Sequence, residues 1–215
     1  SHNTQKRIPQ LLTLLKEGKS LGLISDAGIP GISDPGEELI SEVIKEGFKV
    51  IAIPGSCAAI TALASSGLPS SRFSFEGFLP LKDKQRKERL KEIANERKTS
   101  IIYESPHRLI HLLQELSEHC GKERPIHIAR ELTKIHEEHI HSDINSAIDF
   151  FIKNKPIGEF TIILGGNEKS ECVSYNDAEL LAKMQELIMS GKGANLAAKE
   201  ISEQTGKPKR YLYQI

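Results

Sequence analysis

Residues 25–36 read Ser25-Asp26-Ala27-Gly28-Ile29-Pro30-Gly31-Ile32-Ser33-Asp34-Pro35-Gly36. The apolar run at 21–24 before this stretch predicts a short buried strand, and the amphipathic run at 37–45 after it predicts a helix. The stretch is therefore predicted to be a loop at the carboxyl end of a strand, where open α/β sheets bind ligands. A plain βα connection stiffened by proline is the alternative, but such connections take only about 2–6 residues. The length of the loop and its three glycines favour a ligand-binding role.

The first third of the chain alternates helix and strand. Apolar residues at helical spacing predict a helix over 7–16, and the run at 48–53 predicts a strand. The order helix, strand, helix, strand predicts a parallel sheet with crossover helices. The turn at 54–57 then leads into a helix over 58–66 whose small side chains suit either close packing on the sheet or contact with a ligand.

The middle of the chain presents polar groups at the ends of predicted strands. Residues 73–80 suit a hinge between domains or an edge strand. Strands are predicted at 99–103, 125–130 and 161–164, with helices between them. The strand at 99–103 leads to Glu104, and the strand at 125–130 leads to Glu131 and Lys134. A rigid sheet positions catalytic groups well at such places.

The predicted helix at 82–98 is strongly basic. It carries eight Lys and Arg against four Asp and Glu, a local charge of +4. Such a run is typical of a solvated helix face. The alternative is a surface that binds RNA phosphates, to which Arg86 would contribute with Lys84, Lys87 and Lys91.

The stretch at 136–141 contains three histidines but does not fit a zinc motif. A helical zinc site needs histidines four residues apart, and here the first two are three apart. His139 and His141 alternate as on a strand with one wet face, so we predict no metal ion. After a polar linker at 167–176, the tail predicts two short helices, at 178–189 and 196–201, around a glycine turn. This pair suits a helix-turn-helix or a packing tail.

Composition narrows the class of protein. The chain has 215 residues, with 29 basic and 29 acidic side chains that cancel. Net charge therefore gives no support for a nucleic-acid partner. Three widely spaced cysteines predict no disulfide framework and favour the reducing cytoplasm. We find no run of about 20 apolar residues, the length of a membrane span, and predict no membrane partner.

Six motifs together carry a family resemblance. Residues 25–36 resemble the SDAGTPLISDPG signature of the ribosomal RNA small-subunit methyltransferase I family, which belongs to the tetrapyrrole-methylase-like class of S-adenosylmethionine (SAM) enzymes. Further matches occur in the same order at residues 53–59, 75–80, 103–108, 129–134 and 158–160. The family also begins with a strand and a TPIGNL-type loop that help to form the SAM site. Neither is present here, so we expect the chain to start inside the family's first domain and its SAM site to be incomplete.

The resemblance implies an α/β fold with two α/β domains, a SAM cleft between them and a small helical C-terminal segment. The implied boundaries are 1–76 for the rest of the SAM-binding domain, 77–168 for the second domain and 169–215 for the helical tail. The implied activity is methylation of the ribose 2′-hydroxyl of a cytidine in the decoding region of 16S rRNA, in the small ribosomal subunit. A homodimer is implied as well.

The resemblance and the placement of polar groups together give candidate site residues. The catalytic candidates are Lys134, Glu131 and Glu104, as a general base or as a cation that stabilises a developing alkoxide. The candidates for SAM binding are Asp26, Ala27, Gly28, Ser33, Gly55, Ser56, Cys57, Ala59, Tyr103, Leu132 and Glu159. Two other functions stay open: a SAM-dependent methylase of a tetrapyrrole or another small molecule, and a non-catalytic RNA-binding or assembly module.

Overall fold

The chain folds into two compact units, Ser1–Asn167 and Glu168–Ile215. The computed structural model describes residues 2–81, 83–167, 176–205 and 207–214. Most of the predicted linker at 167–176 lies outside the described residues, as do Lys82, Cys172 and Gly206. The proposed division of the first unit at residue 76 stays a prediction; residue 76 itself lies within a strand, Phe73–Phe78.

The first unit is built on a five-stranded sheet. Its strands are β1 (Phe73–Phe78), β2 (Thr99–Glu104), β3 (Pro125–Arg130), β4 (Glu138–Asp143) and β5 (Phe160–Leu164). Their order in space is β1-β2-β5-β3-β4. β1 and β2 pair in parallel, whereas β5 lies antiparallel between β2 and β3, and β4 is antiparallel to β3. The sheet is therefore mixed. The parallel sheet predicted from the order of elements in the first third of the chain is wrong, because neither of its predicted strands, at 21–24 and 48–53, belongs to this sheet.

This topology gathers chain ends at one edge of the sheet. β1, β2 and β3 run in the same direction and end there. β4 and β5 run in the opposite direction, so both begin at that edge. We call it the active edge, defined by the segments 78–80, 104–106, 131–138 and 158–160.

Helices cover both faces of the sheet. The larger apolar core includes residues of three helices, α4 (Asp83–Asn95), α5 (Leu109–Cys120) and α6 (Ile144–Lys153). On the other face, α3 (Ala58–Ser65) packs on β2 and β5. The apolar stripe of α5 is fully buried and consists of Leu109, Leu112, Leu113 and Leu116. These helices confirm the predictions at 58–66 and 82–98 and the helices predicted between the later strands, and β1 confirms the edge-strand interpretation of 73–80.

The N-terminal region is helical but adds no strand to the sheet. α1 (His2–Lys16) and α2 (Glu37–Lys45) form as predicted and contact each other. The predicted strands at 21–24 and 48–53 are wrong: neither pairs with any strand in the described residues. Ile24 is 89% exposed and Ile53 is 84% exposed. A strand needs a neighbour to satisfy its backbone N–H and C=O groups, so apolar, β-branched residues alone do not make one.

The second unit has a small core of its own. It contains α7 (Asp177–Met189), α8 (Ala194–Thr205) and α9 (Lys209–Leu212). The first two confirm the helices predicted from the sequence, and α9 was not predicted. Asn176 begins α7 with a capping box in which Glu179 is the reciprocal partner. The buried residues shared by the three helices are Leu180, Met184, Ala198, Ile201 and Leu212. Among the helices that the structure describes in either unit, none combines the length and the apolar character needed to cross a bilayer.

Three histidines stack on the face of the sheet that α3 covers. The rings of His127 on β3 and His141 on β4 lie 4.2 Å apart, and those of His127 and His139 lie 5.2 Å apart. His139 and His141 are exposed, whereas Ile140 packs against the core on the opposite face. The predicted strand with one wet face is thus confirmed.

The pH dependence of stability tests the burial of His127. Burial, helped by the neighbouring His141 and His139, lowers the pKa of His127 to about 4. The unfolded chain binds this proton below about pH 6.5 and the folded protein does not, so folding becomes less favourable as the pH falls from 6.5 towards 4. We expect this residue to account for up to about 3 kcal/mol of that loss. Urea unfolding of His127→Leu should show a correspondingly shallower pH slope, whereas the exposed control His119→Gln should keep the wild-type slope.

Candidate active site

A cavity of about 410 Å³ opens at the active edge. Its lining comes from the loop at 25–36, the start of α3, the ends of β1 and β2 with the two residues after β2, and the residues at the start of β5. Cavities of this size hold small-molecule ligands or cofactors in other proteins. The long loop predicted to be functional therefore does border a cavity, although the strand predicted before it is absent.

The loop is held in place by close backbone contacts. Ser33 has a left-handed backbone (φ 54°). Its hydroxyl packs against Gly77 in the space that a larger residue's side chain would fill. A Cβ built on Gly77 would lie 2.9 Å from the Ser33 Oγ. The register of β1 against β2 shifts between Phe75 and Gly77, which marks a β-bulge. Gly77 thus allows the loop to approach β1.

Tyr103 ties the start of α3 to the cavity. Its hydroxyl accepts a hydrogen bond from the Ala59 N–H at 3.0 Å, which satisfies one of the backbone donors at the helix start. Edge-to-face contacts with Phe75 and Phe78 hold the ring. Burial raises the pKa of Tyr103, and the neighbouring Cys57 thiol raises it further, so the phenol remains protonated at neutral pH.

Glu104 is a buried carboxylate with one oxygen unpaired. Oε1 accepts a hydrogen bond from the Ser105 N–H at 2.7 Å and forms an ion pair with the Arg108 guanidinium at 2.6 Å. Oε2 is buried and has no hydrogen-bond partner among the described residues. Leaving a buried carboxylate oxygen unpaired is costly, and Glu104 lines the cavity. A ligand that donates a hydrogen bond would remove that cost.

Lys134, Glu131 and Glu159 form an ion-pair network at the start of β5. The Lys134 ammonium donates to the Glu131 carboxylate at 3.0 Å and to the Glu159 carboxylate at 3.1 Å. The pKa of Lys134 is raised by these bonds, the one to Glu131 first. The pKa of Glu131 is lowered by the Glu159 N–H and then by Lys134. Lys134 is therefore a cation and Glu131 an anion at neutral pH.

The structure brings about half of the predicted site residues together. Those that line the cavity are Ala27, Gly28, Ser33, Cys57, Tyr103, Glu104 and Glu159. Glu131 and Lys134 lie outside the lining and contact it through Glu159. Asp26, Gly55 and Ser56 are exposed, and Ala59 and Leu132 belong to the apolar cluster beneath α3. The SAM-binding and catalytic roles of these residues stay predictions.

Sequence reasoning missed several residues of the lining. Phe78, Ser105, Pro106, Phe160 and Thr161 border the cavity without having been candidates. Phe160 and Thr161 reach it because β5 begins at the active edge, which no local pattern reveals. Within the part of the chain that the structure describes, no group of three His, Cys, Asp or Glu side chains is arranged to hold a metal ion.

Comparison with known proteins gives the class first. A family model described as Tetrapyrrole (Corrin/Porphyrin) Methylases matches residues 1–148. A crystal structure of a cobalt precorrin-4 methyltransferase is similar in fold, with a TM-score of 0.57 and 16% identity over 75% of this chain and 70% of that one. A Thermus thermophilus uroporphyrin-III C-methyltransferase crystallised with S-adenosylhomocysteine has a TM-score of 0.52 and 20% identity, over 75% and 73% of the two chains. The fold is that of a tetrapyrrole methylase.

Curated relatives give the family. A Synechocystis protein named ribosomal RNA small subunit methyltransferase I is 41% identical over 100% of this chain and 77% of its own length. A Thermotoga maritima protein of the same name is 46% identical over 77% of this chain and 74% of its own length. The chain belongs to the ribosomal RNA small subunit methyltransferase I family.

The variant Gly158→Ala tests how tightly the network at the active edge is packed. Gly158 has a φ of 94°, and an added Cβ would lie 2.6 Å from the Glu131 side chain. Gly47→Ala is the control, because its φ is also positive (82°) but nothing lies within 4 Å of the new Cβ. Left-handed backbone alone costs about 1–2 kcal/mol. We expect Gly158→Ala to cost about 1–3 kcal/mol more than the control in urea unfolding, because of the added overpacking. Equal losses in the two variants would contradict this packing.

Proposed function

We propose that this SAM-dependent rRNA methyltransferase methylates the 2′-hydroxyl of a cytidine ribose in the decoding region of 16S rRNA. The observation that carries the proposal is the cavity at the active edge, bordered by the 25–36 loop and by the buried carboxylate of Glu104. We further propose that the substrate is presented by the small ribosomal subunit in the cytoplasm and that the enzyme works as a homodimer. These finer points rest on the family resemblance.

The residues around the cavity fit SAM. A Cβ on Gly28 would lie 4.0 Å from the Ser56 carbonyl oxygen, so the 25–36 loop and the turn before α3 border the same space. The first turn of α3 offers backbone donors beside the cavity, and the unpaired Glu104 oxygen offers an acceptor. When bound, SAM supplies an electrophilic methyl group on a sulfonium. We propose that Ala27, Gly28, Ser33, Cys57 and Tyr103 hold it.

In this proposal Lys134 acts as a cation. Its raised pKa keeps the ammonium protonated, which rules out a role as the base in this state. A ribose hydroxyl that is being methylated develops negative charge as it loses its proton, and a fixed ammonium stabilises that charge. Glu131 and Glu159 hold the ammonium in place through the bonds of 3.0 and 3.1 Å.

Glu104 is the best placed of the three candidates to accept the proton. Lowering of the Glu131 pKa weakens that carboxylate as a base. Glu104 instead keeps one buried oxygen without a hydrogen-bond partner among the described residues, and the residue lines the cavity. The Arg108 guanidinium and the Ser105 N–H orient the carboxylate through its other oxygen. A positioned general base contributes about 10²–10⁴-fold to such reactions.

Single-turnover methylation of small ribosomal subunits tests these roles. We expect Glu104→Gln to slow methyl transfer about 10²–10⁴-fold, because the amide keeps the shape of the side chain but accepts no proton. Lys134→Met should also slow the reaction, since it removes the cation. The exposed Lys122, in the turn before β3, supplies the control Lys122→Met, which should react at the wild-type rate. A wild-type rate for Glu104→Gln would contradict its role as the base.

The substrate itself is tested by offering alternatives with labelled SAM. Small ribosomal subunits should be methylated, and uroporphyrinogen should not. Methylation of uroporphyrinogen instead would favour the small-molecule methylase. SAM-independent binding of the subunit without methyl transfer would favour the assembly module.

α4 presents a stripe of three lysines for RNA. Lys84, Lys87 and Lys91 are exposed and follow one another at helical spacing. Arg86 does not belong to this surface, contrary to the expectation from the sequence. Its guanidinium is buried, pairs with Glu115 and donates to the Pro80 carbonyl at 2.9 Å. We propose that the three lysines bind RNA phosphates and that Arg86 stabilises the fold.

The salt dependence of RNA binding tests this surface. The variant Lys84→Gln/Lys87→Gln/Lys91→Gln should reduce the slope of log affinity against log salt by about 0.7 for each RNA phosphate that the protein no longer neutralises. SAM affinity should stay unchanged. The control Lys122→Gln/Lys153→Gln/Lys155→Gln removes the same charge from other exposed positions. If both triple variants bind with the same slope, α4 is only a solvated helix face.

A further inference from the structure

A continuous chain of hydrogen bonds runs from the interior of the sheet to the loop that carries Lys134. His127 Nε2 lies 3.0 Å from His139 Nδ1. His139 Nε2 lies 2.8 Å from the Glu137 Oε1. The other oxygen of Glu137 accepts a hydrogen bond from the Thr133 N–H at 2.6 Å. We call these three side chains, His127, His139 and Glu137, the relay.

Elementary chemistry gives the direction of the bond at Glu137. A carboxylate only accepts hydrogen bonds, so His139 Nε2 carries a proton and donates to Glu137. A second hydrogen bond joins His139 Nδ1 to His127 Nε2. Burial lowers the pKa of His127 to about 4, so its imidazole is neutral at neutral pH.

The charge of Glu137 is fixed by the same contacts. The hydrogen bond from His139, followed by the one from Thr133, lowers the pKa of Glu137. The carboxylate is therefore ionised at neutral pH and accepts both bonds at once. α3 and β5, which pack over the histidines, contain no charged side chain. Among the contacts of the relay histidines in the described residues, the carboxylate is that of Glu137.

The loop from Glu131 to Lys134 has an unfavourable backbone conformation that contacts at both of its ends hold in place. Glu131 (φ 51°) and Thr133 (φ 66°) both have left-handed backbones, which are unfavourable for residues with a side chain. The Glu131 end is held by Glu159, whose carbonyl accepts from the Glu131 N–H at 3.0 Å and whose N–H donates to the Glu131 carboxylate at 2.8 Å. The Thr133 end is held by Glu137. Lys134 follows directly, and its side chain is 46% exposed.

We propose that the relay is a positioning device for methyl transfer, in which Glu137 holds Thr133 and thereby directs Lys134 towards the cavity. This inference rests on the proposed role of Lys134. Glu137 is a positioning residue, because it acts through the loop and does not line the cavity. The histidines hold the Glu137 carboxylate in the orientation that Thr133 requires.

A purely structural role for the histidines makes a different prediction. His141 Nε2 lies 3.0 Å from the Ser65 carbonyl oxygen at the end of α3, so the cluster also contributes to packing. If packing were its whole role, loss of Glu137 would change stability and leave the rate of the folded enzyme unchanged. Misplacing a catalytic group by about 1 Å can instead slow a reaction about 10²-fold.

Single-turnover methylation of small ribosomal subunits distinguishes the positioning role of the relay from a purely structural role. We expect Glu137→Ala to lower the rate about tenfold to a hundredfold with unchanged affinity for SAM. Glu137→Gln should recover most of the rate, because its amide oxygen can still accept the hydrogen bond from the Thr133 N–H. The control is Glu138→Ala, which removes a neighbouring carboxylate of similar exposure that pairs with Arg130 instead of the loop. It should keep the wild-type rate.

A double-mutant cycle and an exchange measurement complete the test. If Glu137 acts through Lys134, Glu137→Ala should cause no further slowing in the Lys134→Met background. Equal slowing in both backgrounds would overturn the proposal, as would a wild-type rate in Glu137→Ala. Hydrogen exchange at the Thr133 amide should accelerate in Glu137→Ala, and unchanged exchange would also overturn the relay. A wild-type rate in Lys134→Met would contradict the proposed catalytic role of Lys134. Hydrogen exchange at Thr133 does not depend on that role, so it tests the contact between Glu137 and Thr133 separately.

Discussion

The insertion of β5 between β2 and β3 is the constraint on which the rest of the first unit depends. All five residues of this strand are buried, and both of its edges are paired along their length. A central strand buried on both faces has to be apolar, and Phe160, Ile162, Ile163 and Leu164 meet that need. Because β5 runs against its neighbours, its first residues lie beside the last residues of β2 and β3. Glu159 therefore lies next to Glu131 and near Glu104, which are far from it in sequence.

The charges at the active edge differ in how completely they are paired. Lys134 has two carboxylate partners and remains a cation. Glu104 has one oxygen satisfied by Arg108 and Ser105 and one without a partner. Complete pairing fixes a charge in place, whereas incomplete pairing of a buried group favours contact with a ligand. This difference is the physical basis for proposing Lys134 as the cation and Glu104 as the base.

Burial also separates basic residues that stabilise the fold from basic residues that are exposed on the surface. Arg86 and Lys87 are adjacent in a helix that reads as uniformly charged, yet Arg86 is buried against Glu115 and Lys87 is exposed. Arg124 is likewise buried, and its guanidinium donates to the carbonyl oxygens of Ile93, Ala94 and Glu96 at the end of α4. Buried guanidinium groups are retained only where acceptors surround them. A count of charges along the sequence cannot separate these structural arginines from a surface that binds phosphate.

Local sequence determined the helices, most of the strands and the function class. Helical spacing of apolar residues identified α2 and α5, and the signature at 25–36 indicated the family and one wall of the cavity. Only the tertiary structure decided the strand directions, because a run such as 160–164 reads the same in a parallel or an antiparallel sheet. It also decided that 21–24 and 48–53 are not strands, since a strand exists only when a neighbour pairs with its backbone. The contacts between Glu137, His139 and Thr133 were settled in the same way: side-chain chemistry is written in the sequence, but hydrogen bonds depend on which segments the fold brings within 3 Å.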